Sequence, residues 1–126
     1  MALTTQDFVT AAKSQINECD IQTAVKKLEQ GACALDVREP QEFMQGHIPN
    51  AIEVPRGVLE FRVDSHPSLQ DKPQEIIVCC QAGGRGALAA KTLQEMGFTN
   101  VINMQGGYGA WAEAGLDQEK DPAEWR

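Results

Sequence analysis

Residues 76–80 read Ile-Ile-Val-Cys-Cys, apolar without a break, and are bounded by Pro73 upstream and by glycines at 83, 84 and 86 downstream. A run this short, rich in β-branched residues and lacking polar alternation, suits a strand covered on both faces. Such a strand belongs at the centre of a parallel sheet with a helix layer on each side. Gln81-Ala82-Gly83-Gly84-Arg85-Gly86 follows directly and leads into a helical pattern in which Ala89, Leu93 and Met96 share one face. Glycines permit positive φ and let backbone amides turn inward, while the helix adds the positive end of its dipole. The segment therefore predicts an anion cradle built around a thiol. The same field favours the nucleophilic thiolate at Cys80.

The rest of the chain alternates helical and extended patterns. A helix is expected from Thr4 to about Gln15, with Phe8, Ala12 and Ile16 at i, i+4 and i+8. Asp20 caps a second helix with Ile21, Ala24, Val25 and Leu28 on one face, stopped at Gly31. Strands are expected at 32–37, 51–54, 76–80 and 101–104, with a short helix after Pro40 and a last one containing Tyr108 and Trp111. Residues 56–63 predict a helical turn. Residues 64–72, with Ser65-His66-Pro67 and Asp71-Lys72-Pro73, carry turn chemistry and are expected to be the most mobile stretch. This alternation predicts an α/β domain with helices on both faces of a parallel sheet, whose ligands bind beyond the carboxyl ends of the strands.

The chain has 126 residues, enough for one domain with a real core. Eleven Lys and Arg oppose eighteen Asp and Glu, a net charge of −7, which disfavours nucleic acid and anionic membrane surfaces as partners. Any anion site must be local. The first residues lack a basic start followed by an apolar run, so a cytoplasmic protein is expected. Cys19, Cys33, Cys79 and Cys80 contain no C-x-x-C, and His47 and His66 lack metal-ligand spacing to them, so no metal is expected. Neighbours on a strand point to opposite faces, which argues against a Cys79–Cys80 disulfide.

Four separated motifs agree with one another. Asp36-Val37-Arg38-Glu39-Pro40-x-Glu42-Phe43, Gly46-His47-Ile48-Pro49-Asn50-Ala51, the loop from Cys80 to Arg85, and Gly106-Gly107-Tyr108-x-Ala110-Trp111 together resemble a single-domain rhodanese, a sulfurtransferase. The resemblance covers roughly residues 20 to 115. It implies a rhodanese-like α/β fold, a five-stranded parallel sheet with helices on both faces. Residues 1–18 would be an N-terminal accessory helix, 19–116 the rhodanese domain and 117–126 a charged C-terminal tail. It also implies that Cys80 is the nucleophile and that Gln81, Ala82, Gly83, Gly84 and Arg85 complete the substrate-binding loop, with no cofactor. Sulfane sulfur from thiosulfate or a persulfide would be held as a Cys80 persulfide and passed to cyanide or a thiol, thioredoxin and glutathione among the possible acceptors.

The loop departs from the pattern Cys-Arg-Ser-Gly-x-Arg-Ser that thiosulfate-using members resemble. Gln81, Ala82 and Gly86 remove one cation and two hydroxyls, so thiosulfate is expected to be a poor donor. Arg56 is a candidate to replace the missing charge, and Arg62 a weaker one. Arg85 either binds donor anion or fixes the loop by pairing with a buried acid. His47, Asp36 and Arg38 read as framework, with Arg38 placed to reach Glu42 at i, i+4. A cysteine phosphatase or arsenate reductase is the competing enzyme class, but those resemble Cys-x5-Arg and the spacing here is Cys-x4-Arg. A catalytically silent binding module on the same fold is the other alternative.

Overall fold

In the computed structural model, which describes residues 2–120, the chain runs α1 (Thr5–Lys13), β1 (Asn17–Cys19), α2 (Ile21–Glu29), β2 (Cys33–Asp36), α3 (Pro40–Gln45), β3 (Ile52–Glu53), α4 (Leu59–Val63), β4 (Ile76–Cys79), α5 (Gly84–Glu95), β5 (Val101–Met104) and α6 (Gly107–Glu113). The strands form one sheet in the order β1-β5-β4-β2-β3, every neighbour parallel. The uninterrupted apolar run is indeed the central strand, and all four residues of β4 are buried.

Strand alternation divides the core in two. Leu35, Ile76, Val78, Cys80 and Val101 face Leu59 and Val63 of α4 and Ala89, Ala90 and Leu93 of α5. Ala34, Ile77, Cys79, Ile102 and Met104 face Ala24 of α2 and Tyr108 and Trp111 of α6. Helices thus cover both faces, as the pattern and the resemblance implied. Full burial of a side chain such as Leu93 or Ile77 contributes about 1.5–3 kcal/mol, which commits the strands to this register.

The fifth strand is β1, and no residue pattern announced it. Asn17 and Glu18 are polar, and the three residues owe their strand to backbone pairing with Ile102, Asn103 and Met104. The boundary expected between residues 18 and 19 falls inside this strand. Ahead of it, Thr4 and Asp7 form a reciprocal cap on α1, which buries Val9 and Ala12 against Ala87 of α5. The stretch 64–72 is anchored by fully buried Leu69 and by Gln70, whose side-chain amide donates to the carbonyls of Val63, Asp64 and His66.

Of the expected charged tail, residues 121–126 lie outside the described residues. In the part described, Asp117 O accepts from Trp111 Nε1 at 2.7 Å, and the backbones of Glu119 and His47 exchange two hydrogen bonds. Among the described residues no helix is long and apolar enough to cross a membrane.

The strand order places the site. The chain passes from β2 outward to β3 on one side, and from β4 to β5 on the other, so the connections diverge between β2 and β4. A crevice opens at the carboxyl ends of strands where connections diverge in this way. Arg38 follows β2 and Cys80 follows β4, so the two meet at that crevice.

Candidate active site

Cys80 leaves β4 toward α5 and is fully buried at the foot of its loop. The Gly83 N–H donates to its Sγ at 3.0 Å. Gly83 achieves this at φ +113, a left-handed conformation in which it caps α5. The other loop glycines serve different ends, since neither Gly84 nor Gly86 has positive φ. A Cβ on Gly86 would run into Asn103 Oδ1 and come within 3.6 Å of Cys80 Sγ, so the room is needed for packing. Residues 84–86 are the first three of α5, and their N–H groups have no intrahelical acceptor. The positive end of the α5 dipole therefore sits beside the sulfur.

α6 clamps the loop from the other side. Tyr108 N–H donates to Cys80 O at 2.6 Å and Gly109 N–H donates to Gln81 O at 3.0 Å. Two loop carbonyls are thereby turned away from the sulfur. Gly107 has to lack a side chain, because a Cβ there would collide with Cys80 O. Gln81 and Ala82 form the exposed crown of the loop.

Arg85 does not point into the cradle. Its Nη1 and Nη2 donate to Glu42 Oε1 and Oε2 at 2.7 and 3.1 Å, tying α5 to α3. Of the two roles left open, this geometry is the one that fixes the loop, although the acid is one-third exposed and not buried. The Arg85 hydrogen bonds outweigh burial and hold the Glu42 carboxyl far below its ordinary value, at about 2.

The expected Arg38–Glu42 contact is not made. Arg38 folds back on Asp36, with Nε 3.0 and 3.1 Å from the two carboxylate oxygens and Nη2 2.8 Å from Oδ2, both side chains buried. It also donates to Gly46 O at 2.7 Å and to Gln81 Oε1 at 3.3 Å, and lies 4.3 Å over the Tyr108 ring. Burial opposes its charge, but the Asp36 bonds prevail and its pKa is raised. The short i, i+4 reach lost to a closer acid two residues back that shares its burial. A cleft of about 280 Å³ opens beside this cluster, lined by Arg38, Glu42, Gln45, Gly46, Gln81 and Tyr108.

Arg56 is not brought to the cradle. Its guanidinium donates to Glu60 Oε1 and Thr92 Oγ1, both at 3.2 Å. Thr92 lies about 12 Å along α5 from its first residue at 1.5 Å per residue. Arg62 sits exposed on α4. His47 bonds Phe43 O through Nδ1 at 2.9 Å and stacks on the Phe43 ring, a buried turn residue. Cys79 is buried on the opposite face, where burial first and the Asp36 charge second push its thiol well above the ordinary range. Among the described residues no group of three His, Cys, Asp or Glu side chains is placed to hold a metal ion.

Two residues that sequence reasoning did not single out stand behind the loop. Asn103 of β5, wholly buried, donates from Nδ2 to Gly83 O at 3.2 Å and to Glu18 Oε2 of β1 at 2.9 Å. Neither residue carries a signal in a single sequence, because only the folded sheet brings them together.

Residues 20–114 match the family model for a rhodanese-like domain. A sulfurtransferase of Allochromatium vinosum is 31% identical over 103 residues, covering 80% of this chain and 92% of the relative. Thiosulfate sulfurtransferase 16 of Arabidopsis thaliana, a chloroplast protein, is 47% identical over 93 residues, covering 65% and 75%. Among solved structures, a Rhodopseudomonas palustris protein of unknown function, described as a possible tyrosine phosphatase, superposes with a TM-score of 0.86 at 32% identity, covering 94% of this chain and 96% of that one.

Proposed function

The chain belongs to the rhodanese-like family, and from that footing we propose that it is a sulfurtransferase working through a Cys80 persulfide. The observation that carries this reading is the Gly83 N–H on Cys80 Sγ at the start of α5. The names of the relatives support sulfur transfer in general.

In the first half-reaction the Cys80 thiolate attacks the sulfane sulfur of the donor. The donor S–S bond breaks, and the leaving group, sulfite in the case of thiosulfate, departs with the electron pair. Cys80 is left as a persulfide anion. In the second half, a thiolate or cyanide attacks the terminal sulfur and the Cys80 thiolate returns. Splitting the transfer at a covalent intermediate gives ping-pong kinetics. The first-turn amides of α5 and the Gly83 N–H receive the anionic sulfur, and one preorganised donor of this kind is worth about 2.7–4 kcal/mol in oxyanion sites. Because Sγ is buried beneath its loop, the crown at Gln81 and Ala82 shifts to admit the donor and closes the persulfide off from water.

Donor choice follows from the rim. Gln81 offers no cation, and Arg38 and Arg85 are each committed to a carboxylate. A persulfide, on a small thiol or on a protein, suits this mouth better than a small dianion, and the cleft beside Gln81 is where its remainder would rest.

Intact mass after treatment with thiosulfate or with glutathione persulfide tests the proposal. Wild type gains one sulfur atom and passes it to cyanide or a thiol, and Cys80→Ala gains none. Wild type that never loads sulfur would leave a silent binding module. Phosphate-ester hydrolysis is not expected, because Arg85 is turned away from the cradle onto Glu42, which neutralises the charge a phosphate would need. Cys80-dependent hydrolysis of p-nitrophenyl phosphate would restore the phosphatase reading.

A further inference from the structure

Asn103 sits on β5 directly behind the nucleophile's loop, and both hydrogens of its amide are used. One goes to Gly83 O at 3.2 Å and the other to Glu18 Oε2 at 2.9 Å. Two acceptors on the nitrogen side fix the orientation of the amide and turn its oxygen the other way. Oδ1 then lies against Gly86, on the side of that glycine where Cys80 Sγ also lies, and has no hydrogen-bond partner among the described residues. A buried acceptor left without a donor destabilises the fold. The fold bears that cost at the point where the loop has to be aimed.

Glu18 completes the arrangement from the edge of the sheet. It pairs in register with Asn103, which pairs in register with Val78, so carboxylate, amide and central strand form one row across β1, β5 and β4. Its side chain is 16% exposed and lies 3.9 Å from Lys13 Nζ at the end of α1. The residue falls outside the 20–114 segment that matches the family model.

We propose that Glu18 and Asn103 are positioning residues for Cys80. The carboxylate holds the amide, and the amide shares the Gly83 carbonyl with the Ala87 N–H of α5, which steadies the residue whose N–H sits on the sulfur. Gly83 is where such a restraint is needed, because at φ +113 a glycine rotates more freely than any other residue. The N-terminal segment therefore serves the chemistry through Glu18, besides covering α5. This deepens the sulfurtransferase reading and rests on Cys80 as its nucleophile.

The test compares Glu18→Ala, Glu18→Gln and Asn103→Ala with wild type, each checked for folding by its thermal transition. Two measurements are made: steady-state sulfur transfer, and the ratio of Cys80 alkylation rates with iodoacetate and iodoacetamide. Glu18→Ala should lower kcat about 10-fold with KM nearly unchanged, as expected when a reacting group loses its alignment. It should also lower the preference for the anionic reagent, because the amide cradle is no longer aimed. Loss of the Glu18 charge alone would shift that preference the opposite way. Glu18→Gln keeps an acceptor for Asn103 and should restore kcat and bring the preference for the anionic reagent back to the wild-type value or above it, since only the charge is lost, while Asn103→Ala should repeat the losses seen in Glu18→Ala. Wild-type kcat and alkylation ratio in folded Glu18→Ala and Asn103→Ala would overturn the proposal, as would a loss that Glu18→Gln fails to restore. Alkylation requires no sulfur donor. A wild type that never loads sulfur would therefore sink the sulfurtransferase reading, while the alkylation ratio would still decide this one.

Discussion

Cys79 and Cys80 are adjacent in the chain, yet strand alternation sends one thiol toward α6 and the other toward α5. Cys79 meets a dry core and the Asp36 carboxylate, both of which disfavour its anion. Cys80 meets an amide and the start of a helix. Cys79→Ala should therefore load sulfur as wild type does, at a stability cost of about 1 kcal/mol for a small core truncation, and intact mass with denaturant melts checks both. Gln81 argues differently. Its Oε1 accepts from Arg38, so an arginine in its place faces a like charge and must swing out to the rim. Gln81→Arg should lower KM for thiosulfate about 2- to 5-fold, the range of one exposed charge interaction; an unchanged or higher KM would mean that the rim charge plays no part in donor binding. At this scale the thiol at the strand end and the glycine turn around it were legible because their residue types dictate that local geometry. The partners of Arg38, Arg56 and Asn103 were not, because a long side chain chooses among acceptors that only the tertiary fold supplies.

α3 and α5 are joined across the mouth by Glu42 and Arg85, one helix supplying each charge. The folded-state pKa of Glu42, about 2, lies below its ordinary value of 4.5. A depressed carboxylate contributes stability that is complete above the ordinary value and is lost as pH falls toward the folded one. Both partners are about one-third exposed, so solvent screening holds the contribution near 0.5–1 kcal/mol. Urea melts of wild type and Glu42→Gln should therefore differ by that amount at neutral pH and converge between about pH 4.5 and pH 2. A difference that persists at the acid end would assign the effect to packing. Elements were legible where a period or a cap marked them, as in α2, capped by Asp20, and in β4. β1 escaped because a three-residue edge strand held by backbone pairing needs no apolar pattern. α1 ended two residues early, since Ser14 closes it before Gln15.

The whole molecule places a locally positive cradle in a chain of net charge −7. That contrast was readable from composition and motif together; the crevice between β2 and β4 that houses it follows from strand order, which neither the residue pattern nor the resemblance supplied. The two charge scales have different ranges. Contacts inside the buried loop are screened little by salt, whereas the field of the whole surface acts over a Debye length, about 30 Å at 0.01 M salt and about 8 Å at 0.15 M. At low ionic strength the acidic surface repels a dianion approaching the mouth, and added salt removes that repulsion. For thiosulfate, kcat/KM should therefore rise with salt across this range, while kcat at saturating donor stays level because the bound state is already inside the loop. A donor without charge should show no such rise. The measurement is a salt series with both donors on wild type and on Gln81→Arg, whose added rim cation should flatten the thiosulfate slope. A thiosulfate rate that falls with salt would mean that a cationic rim, and not the acidic surface, governs donor approach.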